Sequence, residues 1–191
     1  MANNTPSDIK IYVKDKGITL QEKSLIAISG NKIIAYGNEC EHLQADHTTG
    51  QEDITVLSPF KQNKITDFVC AVAMLKYFVK KALGNKRIWK RPIIGIIVPE
   101  DMTPVDQKTY EEVIYMVSNA KECCFFHEPL ERVIHDLPTN TKLKKKVDII
   151  IGIEMNPLEY VQESMFDLLT FCDKNGISRE NVIELLSKDI S

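Results

Sequence analysis

Apolar residues recur along this chain in two periods. Ile9-Lys-Ile-Tyr-Val13 alternates apolar and polar, the signature of a half-buried strand. Asp15-Lys-Gly17 then turns the chain, and two further runs, Ser24 to Ser29 and Lys32 to Tyr36, flank a Gly30-Asn31 turn. The pattern predicts an antiparallel meander of strands 9–13, 24–29 and 32–36. Residues 37–66 have no clean period beyond a strand near Ile54 to Leu57, and read as a small inserted lobe. From Thr66 or Asp67 the period becomes helical. Phe68, Val72, Leu75, Val79 and Leu83 fall on one stripe, and Cys70, Ala71, Ala73, Met74 and Phe78 widen it, which predicts a largely buried helix ended by Gly84-Asn85.

The second half alternates short apolar runs with amphipathic ones. Ile93-Ile-Gly-Ile-Ile-Val98 is apolar throughout, as a strand covered on both faces must be. Thr103 precedes Pro104 and has Asp106 three residues on. This is a capping box with Asp in place of Glu, opening a helix whose core stripe is Tyr110, Val113, Ile114 and Val117. Cys123 to Phe126 is the next strand, a short helix follows near Leu130 to His135, and Val147 to Ile153 is a second fully apolar strand. Asn156-Pro-Leu-Glu159 starts a helix with the stripe Leu158, Val161, Met165, Leu168, Leu169 and Cys172, and Ser178 caps a last one. Strand, helix, strand, helix in this spacing implies right-handed crossovers and an α/β fold with a mixed sheet and helices on both faces. One domain is expected over 1–191, with residues 155–191 as a helical segment packed on it.

Composition narrows the class. With 191 residues, 43% of them apolar, the chain can bury roughly 70% of the surface its unfolded form exposes, so no metal or disulfide staple is needed. No run approaches the length of a membrane helix and the first residues carry neither part of a signal peptide, which places the protein in the cytoplasm. The five cysteines follow no Cys-x-x-Cys spacing and are expected as reduced thiols. Cys40, His42 and His47 lack a fourth ligand and a known spacing, and read as ordinary surface residues rather than a metal site.

Charge is uneven. No acid occurs between Asp67 and Glu100, where Lys76, Lys80, Lys81, Lys86, Arg87, Lys90 and Arg91 surround Trp89. Lys80, Lys81, Lys86, Arg87, Lys90 and Arg91 form a candidate anion-binding patch. Lys80 and Lys81 also sit where cations offset a helix dipole, and the net charge of −3 argues against a nucleic-acid role.

Five motifs in order carry a resemblance. Ser58-Pro-Phe-Lys61, Ile65-Thr-Asp-Phe68, Met74-Leu-Lys-Tyr-Phe78, Val98-Pro99 with Thr103-Pro-Val-Asp106, and His127-Glu-Pro-Leu130 resemble the bacterial rod-shape-determining actin-like family MreB, from about Ile9 to Pro138. The resemblance implies one α/β lobe of ribonuclease-H-like fold, the first of two, with 37–66 as its small subdomain. It also implies a family setting of ATP bound between lobes and of filaments in cell-wall organisation.

The departures bear on chemistry. The family's Asp-x-Gly-Thr hairpin has no counterpart before Ile9, and its second, glycine-rich phosphate loop corresponds to Val147-Asp-Ile-Ile-Ile-Gly-Ile153, with the single Gly152. A phosphate cradle needs several glycines and their exposed N–H groups. Asp106 stands where the resemblance places a water-orienting Glu, and Glu128 lies in the matching Glu-Pro element. Both are vestigial active-site equivalents with equally good structural roles, as a helix-capping acid and a helix start. The family's central first strand is also missing. The strand 147–153 is expected to fill its slot, giving the order 32–36, 24–29, 9–13, 147–153, 93–98, 123–126, since an empty slot would leave two open edges.

The sequence therefore points to a degenerate single-lobe actin-like protein without ATP turnover, acting by protein contacts in cell-shape or cytoskeleton-related assembly. Its partner is expected to be an actin-like filament, a cell-envelope assembly or a second copy. No cofactor, metal or catalytic residue is expected. Two alternatives remain: a nucleotide-binding component whose ATP and Mg site is completed by another chain, and a nucleic-acid or lipid-binding module using the basic zone 76–91.

Overall fold

The computed structural model describes residues 6–45, 54–61, 64–84, 91–137 and 147–154. These lie in a compact unit, Pro6–Met155. In chain order the elements are β1 (Asp8–Val13), β2 (Gly17–Lys23), β3 (Ile26–Ser29), β4 (Lys32–Tyr36), α1 (Glu39–Ala45), β5 (Ile54–Leu57), β6 (Phe60–Lys61), β7 (Lys64–Ile65), α2 (Phe68–Leu83), β8 (Ile93–Ile97), α3 (Pro104–Ser118), β9 (Glu122–Phe126), α4 (Leu130–Asp136) and β10 (Ile149–Glu154).

The main sheet has the order β2-β1-β10-β8-β9. β10 runs antiparallel to β1, with Ile11 opposite Ile151, and parallel to β8, with Ile151 opposite Ile96. The last described strand of the chain is thus the middle strand of the sheet, as the apolar run predicts. Its side chains explain why. Ile149, Ile151 and Ile153 enter the core under α2 and α3, while Ile150 enters a second core under α4, so both faces of β10 need cover.

The expected order fails at one end. Strands 26–29 and 32–36 do not extend the main sheet; with Ile54–Leu57 they form a separate sheet in the order β4-β3-β5, packed on α1 around Leu25, Ala27, Ala35 and Cys40. The position beside β1 belongs instead to β2. Only Leu20 of β2 is fully buried, and the polar Gln21-Glu-Lys23 that ends it disguises a strand as a connection. The small lobe therefore begins near Leu25 rather than at residue 37.

Two hydrogen-bonded serines, Ser24 buried and Ser58 half-buried, mark where the chain crosses between sheets. Ser24 is inaccessible to solvent; its N–H donates to the Ser7 carbonyl at 2.8 Å and its hydroxyl pairs with that of Ser58 at 2.8 Å. Ser58 in turn donates to the Phe60 carbonyl at 2.9 Å. Both crossing strands are fixed by the same hydroxyl pair, so burial of these polar groups goes uncompensated nowhere.

The helices follow their expected signals. Asp67 caps α2 by accepting from the Cys70 N–H at 2.9 Å, and Lys16 closes its far end by donating to the Leu83 carbonyl at 2.9 Å. Seven residues of α2 are buried, from Cys70 to Ala82; six of them belong to the wide stripe read from sequence, while its members Phe68, Val72, Ala73 and Leu83 are half-buried and Ala82 lies outside it. α3 opens with Pro104 at its first turn and ends at Asn119, whose φ of 50° is left-handed.

Candidate functional site

In parallel sheets, ligands bind beyond the carboxyl ends of the strands. Here β10, β8 and β9 run parallel, and their carboxyl ends open into a hollow of about 480 Å³. Ile97, Val98, Gly152 and Ile153 floor it, and the turn His127-Glu-Pro129 with the start of α4 forms its wall. His127 is held by an Nδ1 contact of 3.3 Å to the Val98 carbonyl.

Gly152 decides what this floor can do. A Cβ there would lie 3.3 Å from Leu130 Cδ2 and 3.4 Å from Leu130 Cβ. The missing side chain thus admits Leu130, the first residue of α4, onto the strand. The chain's one glycine in this segment serves helix packing, and its neighbours Ile151 and Ile153 point to the opposite core. Gly95 on β8 is used in the same way, since a Cβ would collide with the Phe126 ring.

The wall is acidic. Glu128, Glu131 and Glu154 line the hollow. Lys10, on β1, reaches across to place its Nζ 2.8 Å from Glu131 and 2.8 Å from Glu154. Those two bonds raise the Lys10 pKa above its usual value, and the Lys10 bond holds the Glu131 carboxyl below the usual range. A phosphate entering here would meet three carboxylates and a lysine already occupied by two of them. Lys10 escaped the sequence reading because it looks like the polar position of an alternating strand; nothing local signals that β10 and α4 bring acids to it.

The two acids singled out from sequence are both just beyond carboxyl ends of strands, but in different states. Glu128 lines the hollow, exposed, with Arg132 Nε at 3.3 Å. Asp106 is turned back on its own helix: Thr103 Oγ1 donates to its Oδ2 at 2.7 Å and accepts from its N–H at 3.2 Å, while Lys64 Nζ stands 4.0 Å away. Thr103 caps the helix as expected, but the Asp106 carboxylate is paired with the Thr103 hydroxyl, where a full capping box would have it accept from the Thr103 backbone N–H.

Of the basic patch, Lys86, Arg87 and Lys90 lie outside the described residues, and Lys80 is exposed at the end of α2. Lys81 pairs with Glu22 at 2.7 Å and sits 5.9 Å from the Tyr77 ring. Arg91 reaches the carbonyls of Asn119 and Ala120, each at 3.4 Å. Of the three described cations of the patch, Lys81 and Arg91 thus have structural partners.

Cys40 is a correction to its expected surface placement: it is fully buried in the small lobe, and burial pushes its thiol up to about 11. Cys70 is likewise raised to about 11 and Cys123 to about 12, chiefly by burial, which disfavours thiolate chemistry. His42 is exposed on α1 and His47 lies outside the described residues. No cluster of metal-ligating groups occurs among the described residues.

The sequence profile described as MreB/Mbl protein matches residues 5–153. The chain belongs to the MreB/Mbl family. It is 39% identical over 108 residues to the cell shape-determining protein Mbl of Bacillus cereus, a match covering 56% of this chain and 31% of that protein. It is 30% identical over 149 residues to the cell shape-determining protein MreB of Haemophilus influenzae, covering 74% of this chain and 41% of the relative. Structures of MreB 5 of Spiroplasma citri bound to AMPPNP and bound to ADP align with TM-scores of 0.54 and 0.55, at 23% and 20% identity, over 63% and 71% of this chain. They cover 35% and 38% of those chains, so this MreB/Mbl chain spans roughly a third to two fifths of the proteins it matches. The likeness to the solved structures establishes an actin-like α/β fold. Among the described residues no helix is long and apolar enough to cross a membrane.

Proposed function

We propose that this MreB/Mbl chain serves cell-shape or cytoskeleton-related assembly through protein contacts, without turning over ATP by itself. The observation that carries the reading is the identity of the strand in the middle of the sheet. In the family resemblance that slot belongs to a hairpin whose glycines hold phosphate. Here it is filled by Ile149-Ile-Ile-Gly-Ile-Glu154, whose glycine is taken up by Leu130. Because β10 pairs with β1 on one side and β8 on the other, the slot is occupied within this unit, which supports a sheet without that hairpin. Phosphoryl transfer depends on positioning and electrostatics supplied by the complete constellation, so losing the cradle removes the reaction even where Asp106 and Glu128 persist. The acidic wall works in the same direction.

The relatives with bound AMPPNP and ADP favour the second reading, a nucleotide site completed by another chain. Calorimetric titration of the monodisperse protein with Mg-ATP and Mg-ADP separates the two, at concentrations able to detect a Kd of about 100 μM. The expected result is no heat and a thermal midpoint unchanged by nucleotide. Saturable binding abolished by Asp106→Ala would replace the first reading with the second.

A further inference from the structure

The small lobe is tied to the main sheet at few places. Among the described residues, β3, β4, β5 and α1 pack on one another around their own core and only sparsely on the other elements. The chain enters the lobe after Ser24 and leaves it before Ser58, so both crossings meet at one hydroxyl pair, 2.8 Å apart. The second tie is a carboxylate. Glu22, near the end of β2, accepts the Asn38 N–H on Oε2 at 2.9 Å and the Lys81 ammonium on Oε1 at 2.7 Å. Asn38 in turn accepts from the Lys23 N–H at 2.9 Å. Gly37 is suited to this close approach, since its φ is 67° and a Cβ there would stand 2.5 Å from Glu22 Oε2. Tyr36 makes the third tie by stacking on Tyr77 of α2, ring centroids 4.3 Å apart, and Lys81 stands 5.9 Å from the same Tyr77 ring.

We infer that β3, β4, β5 and α1 form a flap that swings as a body about the Ser24–Ser58 crossing, latched shut by Glu22, with Lys81 as the point of release. The two halves of the latch are unequal. The Glu22 side chain is 13% exposed and that of Lys81 45%, so the lysine is the member reached from solvent. The Glu22 bond raises the Lys81 pKa, which keeps the ammonium charged across the neutral range. Release therefore requires loss of that charge or its capture by a competing anion. Without the cation, a carboxylate with little access to water is under-compensated, and swinging the flap away rehydrates it. The lobe's own core is untouched by such a motion. The latch involves no nucleotide and does not depend on the protein-contact reading above.

The test reads single amides by hydrogen exchange in NMR spectra of the whole chain, for the wild type, Lys81→Gln and Lys81→Arg. The Lys23 amide reports the latch, because neither it nor Asn38 is altered by these changes. In Lys81→Gln its exchange should quicken about fivefold or more, while Lys81→Arg, which keeps the charge, should stay near the wild type. The Gly37 amide, bonded at 2.8 Å to the Leu25 carbonyl within the lobe, should change in neither, as expected of a lobe that moves as a body. Hydroxyl-radical footprinting should show Tyr36 and Tyr77 gaining reactivity together in Lys81→Gln, with the buried Tyr110 protected throughout. Salt supplies the same reading without a substitution: it should quicken Lys23 exchange in the wild type and do much less in Lys81→Gln. Lys23 exchange indifferent to both Lys81→Gln and salt overturns the proposal, as does equal quickening in Lys81→Arg. So does a Gly37 amide that quickens along with Lys23, since the lobe would then be unfolding rather than swinging. Faster Lys23 exchange with Tyr36 and Tyr77 unchanged overturns it too, because the bond would be fraying with the flap still shut.

Discussion

Glycines and one lysine carry most of what this chain does differently from a generic α/β sheet. At Gly95 the absent side chain is filled by Phe126, and the two are coupled. Gly95→Ala is expected to cost about 1–3 kcal/mol by overpacking, and much less in a Phe126→Leu background; denaturant melts of the four proteins in that cycle measure the coupling. Equal costs in both backgrounds would mean the collision is relieved elsewhere. Lys10 makes a different prediction, about pH. Glu131 is held below its usual pKa by Lys10, so its contribution is present above the unfolded-state value and is lost as pH falls through the lowered one. Glu131 is more than half exposed, which limits the effect to under about 1 kcal/mol. Stability of the wild type minus that of Glu131→Gln should therefore be positive near neutral pH and should shrink in the acid range. Lys10, whose pKa is raised, stays charged throughout that window and cannot produce the change. A difference that grows on acidification would exclude the Lys10 bond as its source.

Elements with a strong local code were legible, and those defined by distant partners were not. α3 is the clear case: Thr103, Pro104 and Asp106 announce its start, and its four buried residues are the four of the predicted stripe. Because the hydroxyl of Thr103 both accepts from the Asp106 N–H and donates to its carboxylate, Thr103→Ala should cost about 1 kcal/mol, read as a lowered midpoint in a chemical melt. Thr103→Ser should retain most of it. β2 is the opposite case, since a strand with one buried residue has no period to display. It was recoverable only from its neighbours: Glu22 accepts from the Asn38 N–H at 2.9 Å and pairs with Lys81 of α2, contacts between segments far apart in sequence. Missing β2 displaced the next two strands into the wrong sheet. Ser24 and Ser58 hold the corner where that error lies. Ser58→Ala strands the fully buried Ser24 hydroxyl and should cost about 1–3 kcal/mol, whereas Ser58 keeps its bonds with the Phe60 carbonyl and N–H when Ser24 is replaced by Ala, so that change should cost less. The double change should cost less than the sum, and strict additivity in the melts would show the pair does not act as one unit.

At the scale of the molecule, the order of synthesis and the order of the sheet disagree. β1 and β8 are present long before β10, yet they touch each other only through it, by the pairing of Ile11 with Ile151 and of Ile151 with Ile96. The sequence disclosed this because a run of five apolar residues among six, with no polar face, is stable only where both faces are covered. What it could not disclose is that the glycine in that run would be spent on Leu130, a contact set by where α4 lands. The arrangement makes β10 the element on which the sheet depends. Until it inserts, two long edges lie open to other chains, and its pairing with β1 joins residues as far apart as Ile11 and Ile151, which slows closure. A charge in its middle should therefore do more than a comparable lesion elsewhere. Ile151→Asp buries a carboxylate at a position inaccessible to solvent, with an expected cost above about 4 kcal/mol and loss of the folded state. Ile151→Val, at about 1 kcal/mol, keeps the strand in place and controls for cavity effects. In native-state hydrogen exchange on that milder variant, the amides of β1 and β8 that face β10 should lose protection together with those of β10 itself, because no sub-structure holds the two edges once the strand leaves. Protection of β1 surviving the opening of β10 would mean that the meander is a folding unit in its own right and that the middle strand is an addition to the sheet rather than its keystone.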